Sequence, residues 1–225
     1  VRLGTRANRT PLHIFRGENM DIHTDSGTFT VHGASAVVPL NTSDYLITGT
    51  SWKLSHSWGA TEYYRHGWNS WTPTRWWTLR REPWRIWDKP LRALTADDAA
   101  TDTPAEHHSS MMTALSGPDG RTLLIGAVHA SSPLLKISAE EVEASAEADE
   151  ASWLVSIGSE PEVFTRYAGV LKEEYLGERT PLRAVETLGP VWSSWYSWFE
   201  EITAEIITAE IAPARELGYG TIQID

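Results

Sequence analysis

Asp225 follows a short, mostly apolar run, Thr221-Ile222-Gln223-Ile224, that reads as a β-strand. A carboxylate held inside a core needs partners or a costly protonation. Delivered at a strand tip, the same group can accept hydrogen bonds from two hydroxyls of one ligand. Its bland alternative is an N-cap for a following loop or helix. A second candidate set, Trp192-Ser193-Ser194-Trp195-Tyr196, leads into Ser197-Trp198-Phe199 and crowds aromatic rings at one place. The third is Gly67-Trp68-Asn69-Ser70-Trp71-Thr72-Pro73, a loop bracketed by Gly and Pro whose Asn and Ser can cap their own backbone. Eight of the twelve tryptophans fall within the 36 residues from Trp52 to Trp87, a density beyond what a sheet core requires. Any one of these rings is first a candidate for packing. As a group they suit a ligand with an apolar face, such as the axial C–H face of a pyranose.

The elements that must position these residues change character along the chain. Up to about residue 160 the pattern is β-rich. Thr28–His32 alternates after an Asp25-Ser26-Gly27 turn, and Tyr45–Trp58 alternates loosely with Gly49 as a bulge. Thr122–His129, Leu134–Ser138 and Trp153–Ile157 are apolar runs, the first preceded by the turn Pro118-Asp119-Gly120. Residues 95–110 read as an exposed loop. The adjacent pair His107-His108 within it suits neither one strand face nor metal-ligand spacing on a helix. Glu140-Glu141-Val142-Glu143 and Glu147-Ala148-Asp149-Glu150 read as solvated strand edges and turns. Many short strands separated by turn signals predict a β-sandwich.

Helical periodicity then takes over. Val163, Phe164, Tyr167, Val170, Leu171 and Tyr175 share one stripe, closed by Gly177. Two prolines and little pattern make 178–190 a linker. Pro190–Tyr196 reads as a strand and Thr203–Leu217 as a helix with Thr203 as its N-cap. Ile202, Ile206, Ile207, Ile211, Ala214 and Leu217 form its buried stripe, and Pro213 is expected to kink or shorten it. Thr221–Asp225 is then the second strand of a βαβ unit, parallel to the first.

Bulk properties exclude several classes. Thirty acidic against 19 basic residues give a net charge of −11, which disfavours nucleic acid and anionic lipid. With no cysteine, disulfides, thiol nucleophiles and cysteine-ligated zinc are ruled out together. There is no apolar run long enough to span a membrane, no Gly-rich phosphate loop and no Gly-x-Ser-x-Gly elbow. The start, Val1-Arg2-Leu3-Gly4, shows neither an initiator Met nor a signal-peptide core. It reads as a cut or processed end, with a cytoplasmic location favoured.

Three of these segments together resemble glycoside hydrolase family 36, the α-galactosidases. Trp192-Ser193-Ser194-Trp195-Tyr196 and Gln223-Ile224-Asp225 are similar to that family's Trp-Cys-Ser-Trp-Tyr and Gln-Ile-Asp-Asp-Gly. Trp68-Asn69-Ser70-Trp71 resembles its Trp-Gln-Ser-Trp segment. Ser193 stands where the family has Cys, and the sequence ends on the first Asp of the pair. The resemblance implies that Asp225 binds hydroxyls of a terminal galactose, that Trp195 and Tyr196 line the same pocket, and that Trp71 closes it from the N-terminal domain. It also implies a nucleophile and an acid/base, both aspartates, on later strands absent from these 225 residues.

The expected fold is thus an N-terminal β-sandwich over 1–178, with a terminal helix at about 162–176. Residues 179–225 form the linker, strand 1, helix 1 and strand 2 of a truncated (β/α)8 TIM barrel. The expected function is the front portion of an exo-acting, retaining α-galactosidase acting on α-galactoside oligosaccharides. No metal or organic cofactor, nucleic acid or membrane partner is expected, and homo-oligomers through the N-terminal domain are compatible with it. A galactosyl transferase of the raffinose-synthase type is the nearest enzyme alternative. A non-catalytic carbohydrate-binding sandwich is the alternative of a different class.

Overall fold

The computed structural model describes residues 19–67, 74–81, 106–147, 149–176 and 189–225. The chain divides into two compact units between residues 177 and 178.

In the first unit, thirteen described strands form two antiparallel sheets. In chain order the strands are β1 (Asn19–Thr24), β2 (Gly27–His32), β3 (Ala36–Pro39), β4 (Asp44–Thr48), β5 (Ser51–Ser55), β6 (Glu62–Arg65) and β7 (Arg75–Thr78). They continue with β8 (His107–Ser110), β9 (Met112–Ser116), β10 (Arg121–His129), β11 (Leu134–Ile137), β12 (Glu141–Ser145) and β13 (Ser152–Ser159). One sheet runs β1-β2-β5-β12-β11-β8 and the other β3-β4-β13-β10-β9-β6-β7.

A single hydrophobic cluster takes side chains from both sheets. Phe29, Trp52 and Val142 come from the six-stranded sheet, and Ile47, Tyr63, Leu123 and Trp153 from the seven-stranded one. On β5 and β12 only alternate residues are buried, so the other face of that sheet meets solvent. On β10 and β13 burial is continuous along the strand. Such runs need cover on both faces. The second cover is the helix α1 (Glu160–Leu171), whose Val163 and Tyr167 pack with Leu124, Val128 and Leu154. Ser159 caps that helix. Glu162 accepts from the Ser159 N–H at 2.9 Å and its hydroxyl at 2.7 Å, which holds the Glu162 carboxyl below its usual range. Buried Asp44 ties the helix to the sheet, accepting from Ser156 Oγ at 2.6 Å and lying 3.3 Å from the Arg166 guanidinium.

Several elements differ from what the pattern suggests. Tyr45–Trp58 is not one bulged strand but β4 and β5, in different sheets. Gly49 sits where the chain crosses between them, and a Cβ there would stand 3.4 Å from the Cα of Ala34. His107–Ser110 is a buried strand rather than exposed loop. Four consecutive polar residues hide the signal, but each finds cover. The His107 ring meets Tyr63 edge-on at 5.2 Å, and His108 Nε2 lies 3.5 Å from Arg65. Glu141 and Glu143 belong to an interior strand, on its solvent face, where both carboxylates reach Lys53 at 3.0 and 3.4 Å. Such exposed pairs add little stability.

Burial lowers the pKa of both His56 and His107; nearby Glu140 opposes the shift at the first and a backbone hydrogen bond to Leu79 at the second. Each ring therefore takes a proton more readily in the unfolded chain, whose ordinary value is 6.5. Their contribution is complete above that value and is lost as pH falls through it towards the folded values. The urea midpoint is expected to be lower at about pH 5 than at about pH 7.5. His56→Phe is expected to reduce that difference, because both His56 ring nitrogens are buried without a hydrogen-bond partner. An unchanged pH dependence in this variant would show that His56 contributes nothing to it.

The second unit contains β14 (Val191–Ser193), the one-turn helix α2 (Trp195–Trp198), the helix α3 (Ala204–Glu216) and β15 (Thr221–Gln223). β14 and β15 are parallel, with Val191 opposite Thr221 and Ser193 opposite Gln223. The Thr203 hydroxyl accepts from the Ile206 N–H at 3.3 Å and starts α3. The helix continues through Pro213 to Glu216. The missing proline N–H leaves one carbonyl, that of Ala209, on an exposed residue that water can reach. The expected buried stripe is only partly buried. Ala214 is covered, Ile202, Ile206 and Ile207 are half-buried, and Ile211 and Leu217 are exposed. The reason is length: α3 is about 20 Å long, whereas each three-residue strand spans about 10 Å.

Candidate functional site

The chemistry-bearing residues of the second unit gather where its two parallel strands end. The strand expected over Pro190–Tyr196 stops at Ser193. At the next residue the backbone N–H of Ser194 makes the last cross-strand bond, to the Gln223 carbonyl at 3.1 Å. The Ser194 carbonyl then accepts from the N–H groups of Ser197 and Trp198, at 3.1 and 2.9 Å, and winds the chain into α2. Trp195 and Tyr196 therefore stand on a helical turn beyond the strand tip, not on the strand itself. With the Ser194 carbonyl used in that turn, the Asp225 N–H on the neighbouring strand bonds the Ser194 hydroxyl instead of extending the ladder.

Ser194 is the residue that the sequence pattern did not single out. It is fully buried, and its hydroxyl accepts from the Asp225 N–H at 3.0 Å and lies 3.3 Å from the Asp225 carbonyl. One small side chain thus clamps the tip of β15 to the tip of β14. The clamp places Asp225 across from the Ser194–Trp195 step while leaving Asp225 exposed. Its only sequence signal is a small hydroxyl residue between bulky aromatics, just past an apolar strand. Trp195 is 41% exposed and Tyr196 84%, so both rings offer surface to a ligand. Phe199 backs Trp195 edge-on, with ring centroids 5.4 Å apart. Chemically the cluster offers one carboxylate acceptor, one phenol and one open indole face. That set can hold a hydroxylated ligand.

Three of the four expected site residues, Trp195, Tyr196 and Asp225, are therefore brought to one pair of strand ends. The fourth, Trp71, lies outside the described residues, as do Trp68, Trp84 and Trp87. Within the remainder of the tryptophan group, Trp52 and Trp58 are core residues. Trp58 donates its indole N–H to the Ser26 carbonyl at 3.1 Å. Trp76 and Trp77 are half-buried, the first donating to Glu160 at 3.1 Å and the second lying under the Arg75 guanidinium at 4.6 Å. For these four, packing explains the ring. Among the described residues no group of three His, Cys, Asp or Glu side chains could hold a metal ion, and no helix is long and apolar enough to cross a membrane.

Mostly antiparallel sheets followed by a parallel strand–helix–strand unit define a fold shared with proteins of known structure. One such structure is that of the α-galactosidase TtGalA from Thermus thermophilus. Its complex with stachyose superposes with a TM-score of 0.70 at 23% identity, over 93% of this chain and 43% of that one. The same enzyme in complex with p-nitrophenyl α-D-galactopyranoside gives 0.70 and 23%, over 93% and 41%. At this identity the likeness is one of fold. The chain spans less than half the length of these α-galactosidases. No protein-family model matches the sequence, and no curated protein matches it.

Proposed function

We propose that these 225 residues are the front portion of a retaining, exo-acting α-galactosidase of family 36. In this reading the two-sheet unit is the N-terminal β-sandwich domain. The second unit supplies the first strand, helix and second strand of a (β/α)8 barrel. Ligands of such barrels bind at the C-terminal ends of the strands, which is where Trp195, Tyr196 and Asp225 stand. The observation that carries the proposal is the Ser194 clamp, because it sets a carboxylate and two exposed rings at neighbouring strand tips. The shared fold with an α-galactosidase supports the same conclusion.

Asp225 then accepts hydrogen bonds from two hydroxyls of the terminal galactose. Trp195 and Tyr196 wall the sugar, and a part for Trp71 is what the family resemblance implies. Retaining hydrolysis needs two carboxyl groups about 5 Å apart, one as nucleophile and one as acid/base. Both belong to later strands of the complete enzyme, so the 225-residue chain alone is expected to turn over nothing. The complete protein is expected to release p-nitrophenol from p-nitrophenyl α-galactoside with retention at the anomeric carbon. Release from the isolated 225 residues would refute the division of labour. A complete protein that binds galactose yet cleaves no α-galactoside would leave a carbohydrate-binding sandwich instead.

A further inference from the structure

The first unit carries a groove of about 910 Å³, walled by the ends of β8 and β12, the loop joining β10 to β11, and the chain just after α1. Four backbone irregularities meet there. Met111 and Ser132, at φ 63° and 47°, are two of only four non-glycine residues with positive φ among the described residues, and both line the groove. The register of β10 against β13 slips between Ala127 and His129, so Val128 bulges out of the ladder. After Leu171 the helix widens into a π-helical turn, Lys172–Leu176. That turn brings the Tyr175 hydroxyl to the Val128 carbonyl, at 2.6 Å. Left-handed residues, bulges and π-turns each cost stability and gather at functional sites. A fold whose core is otherwise regular has no packing need for all four at one end.

The lining chemistry selects a ligand class. Val128, Leu134 and Leu171 give an apolar floor, and Ser131 and Ser145 set hydroxyls around it. The Tyr175 ring is pinned through its hydroxyl yet remains 59% exposed, which makes it a stacking platform held in place. Glu147 is the sole charged lining residue among those described, and no cationic side chain accompanies it. A phosphorylated or carboxylate ligand would find no counter-charge. The volume lies within the range of small-molecule sites.

We propose that this groove binds a neutral saccharide, stacked on Tyr175, with its hydroxyls bonded to the serines and Glu147. The galactosidase reading is not required for it, since every described lining residue belongs to the first unit, whereas Trp195, Tyr196 and Asp225 belong to the second.

Saturation-transfer NMR on the whole 225-residue chain tests the proposal, with glucose, galactose, lactose and maltose each at about 10 mM. At least one sugar is expected to give transfer, with affinity in the millimolar range. Tyr175→Ala is expected to weaken it about tenfold or more, through loss of the stacking face. Ser131→Arg, a change on an exposed loop, is expected to abolish it by filling the groove while circular dichroism stays native. Trp195→Ala, in the other unit, is expected to remove only transfer that Tyr175→Ala and Ser131→Arg leave in place. No transfer from any of the four sugars would overturn the proposal. So would equal affinity in natively folded Tyr175→Ala and Ser131→Arg, or loss in Trp195→Ala alone.

Discussion

Asp225→Asn in the complete enzyme is expected to lower kcat/KM for p-nitrophenyl α-galactoside by about 100-fold or more. The Ser194 clamp engages the backbone of Asp225, through its N–H at 3.0 Å, so the amide side chain occupies the same place. What changes is chemistry. A carboxylate accepts from two sugar hydroxyls at once, whereas an amide keeps one acceptor and presents an N–H to the other hydroxyl. Hydrogen bonds to a charged group contribute about 1.5–3 kcal/mol each, and losing one while opposing a second donor approaches 3 kcal/mol. The variant is expected to melt with the wild type. Hydrolysis within about twofold of wild type would remove Asp225 from the sugar pocket.

Trp153→Ala carries the largest expected loss of stability. The indole is fully buried on β13, meets Trp52 edge-on at 6.0 Å between centroids, and donates its N–H to the Gly49 carbonyl at 3.0 Å. That last bond holds the point where the chain crosses from one sheet to the other. Truncation opens a cavity and leaves a carbonyl unpaired, together costing about 4 kcal/mol. For a unit of this size the urea midpoint falls by about 2 M. Trp153→Phe keeps most of the volume and loses only the N–H, so it is expected to cost about 1–2 kcal/mol. A midpoint shift below about 0.5 M for the alanine variant would show that this region repacks freely.

The runs that became β2, β10, β11 and β13 were legible because each is a short alternating or continuous apolar run. α1 and α3 were legible by their helical periodicity, whereas α2 was read as the end of a strand, and Thr203 was recognisable as a cap because a hydroxyl there meets an orphan N–H whatever the surroundings. β8 was not. His107-His108-Ser109-Ser110 carries no hydrophobic signal, and only the neighbours Tyr63 and Arg65 make it a core strand. Gly49 is similar. Its φ of 157°, at the point where the chain crosses between sheets, is a backbone conformation that side-chain-bearing residues rarely adopt.

The candidate site divides along the same line. Residue type and order along the chain already name the groups proposed to meet a sugar: a carboxylate after one strand, and an indole and a phenol read as the end of another. These properties are covalent and local, so one dimension suffices to read them. That Ser194 rather than a further ladder bond joins the two tips, and that Trp195 and Tyr196 leave the strand for a helical turn, follow from cross-strand pairing. The Val128 bulge and its bond to Tyr175 likewise depend on partners 47 residues apart. Contacts of that kind take their geometry from how separate segments meet, and no single segment contains it.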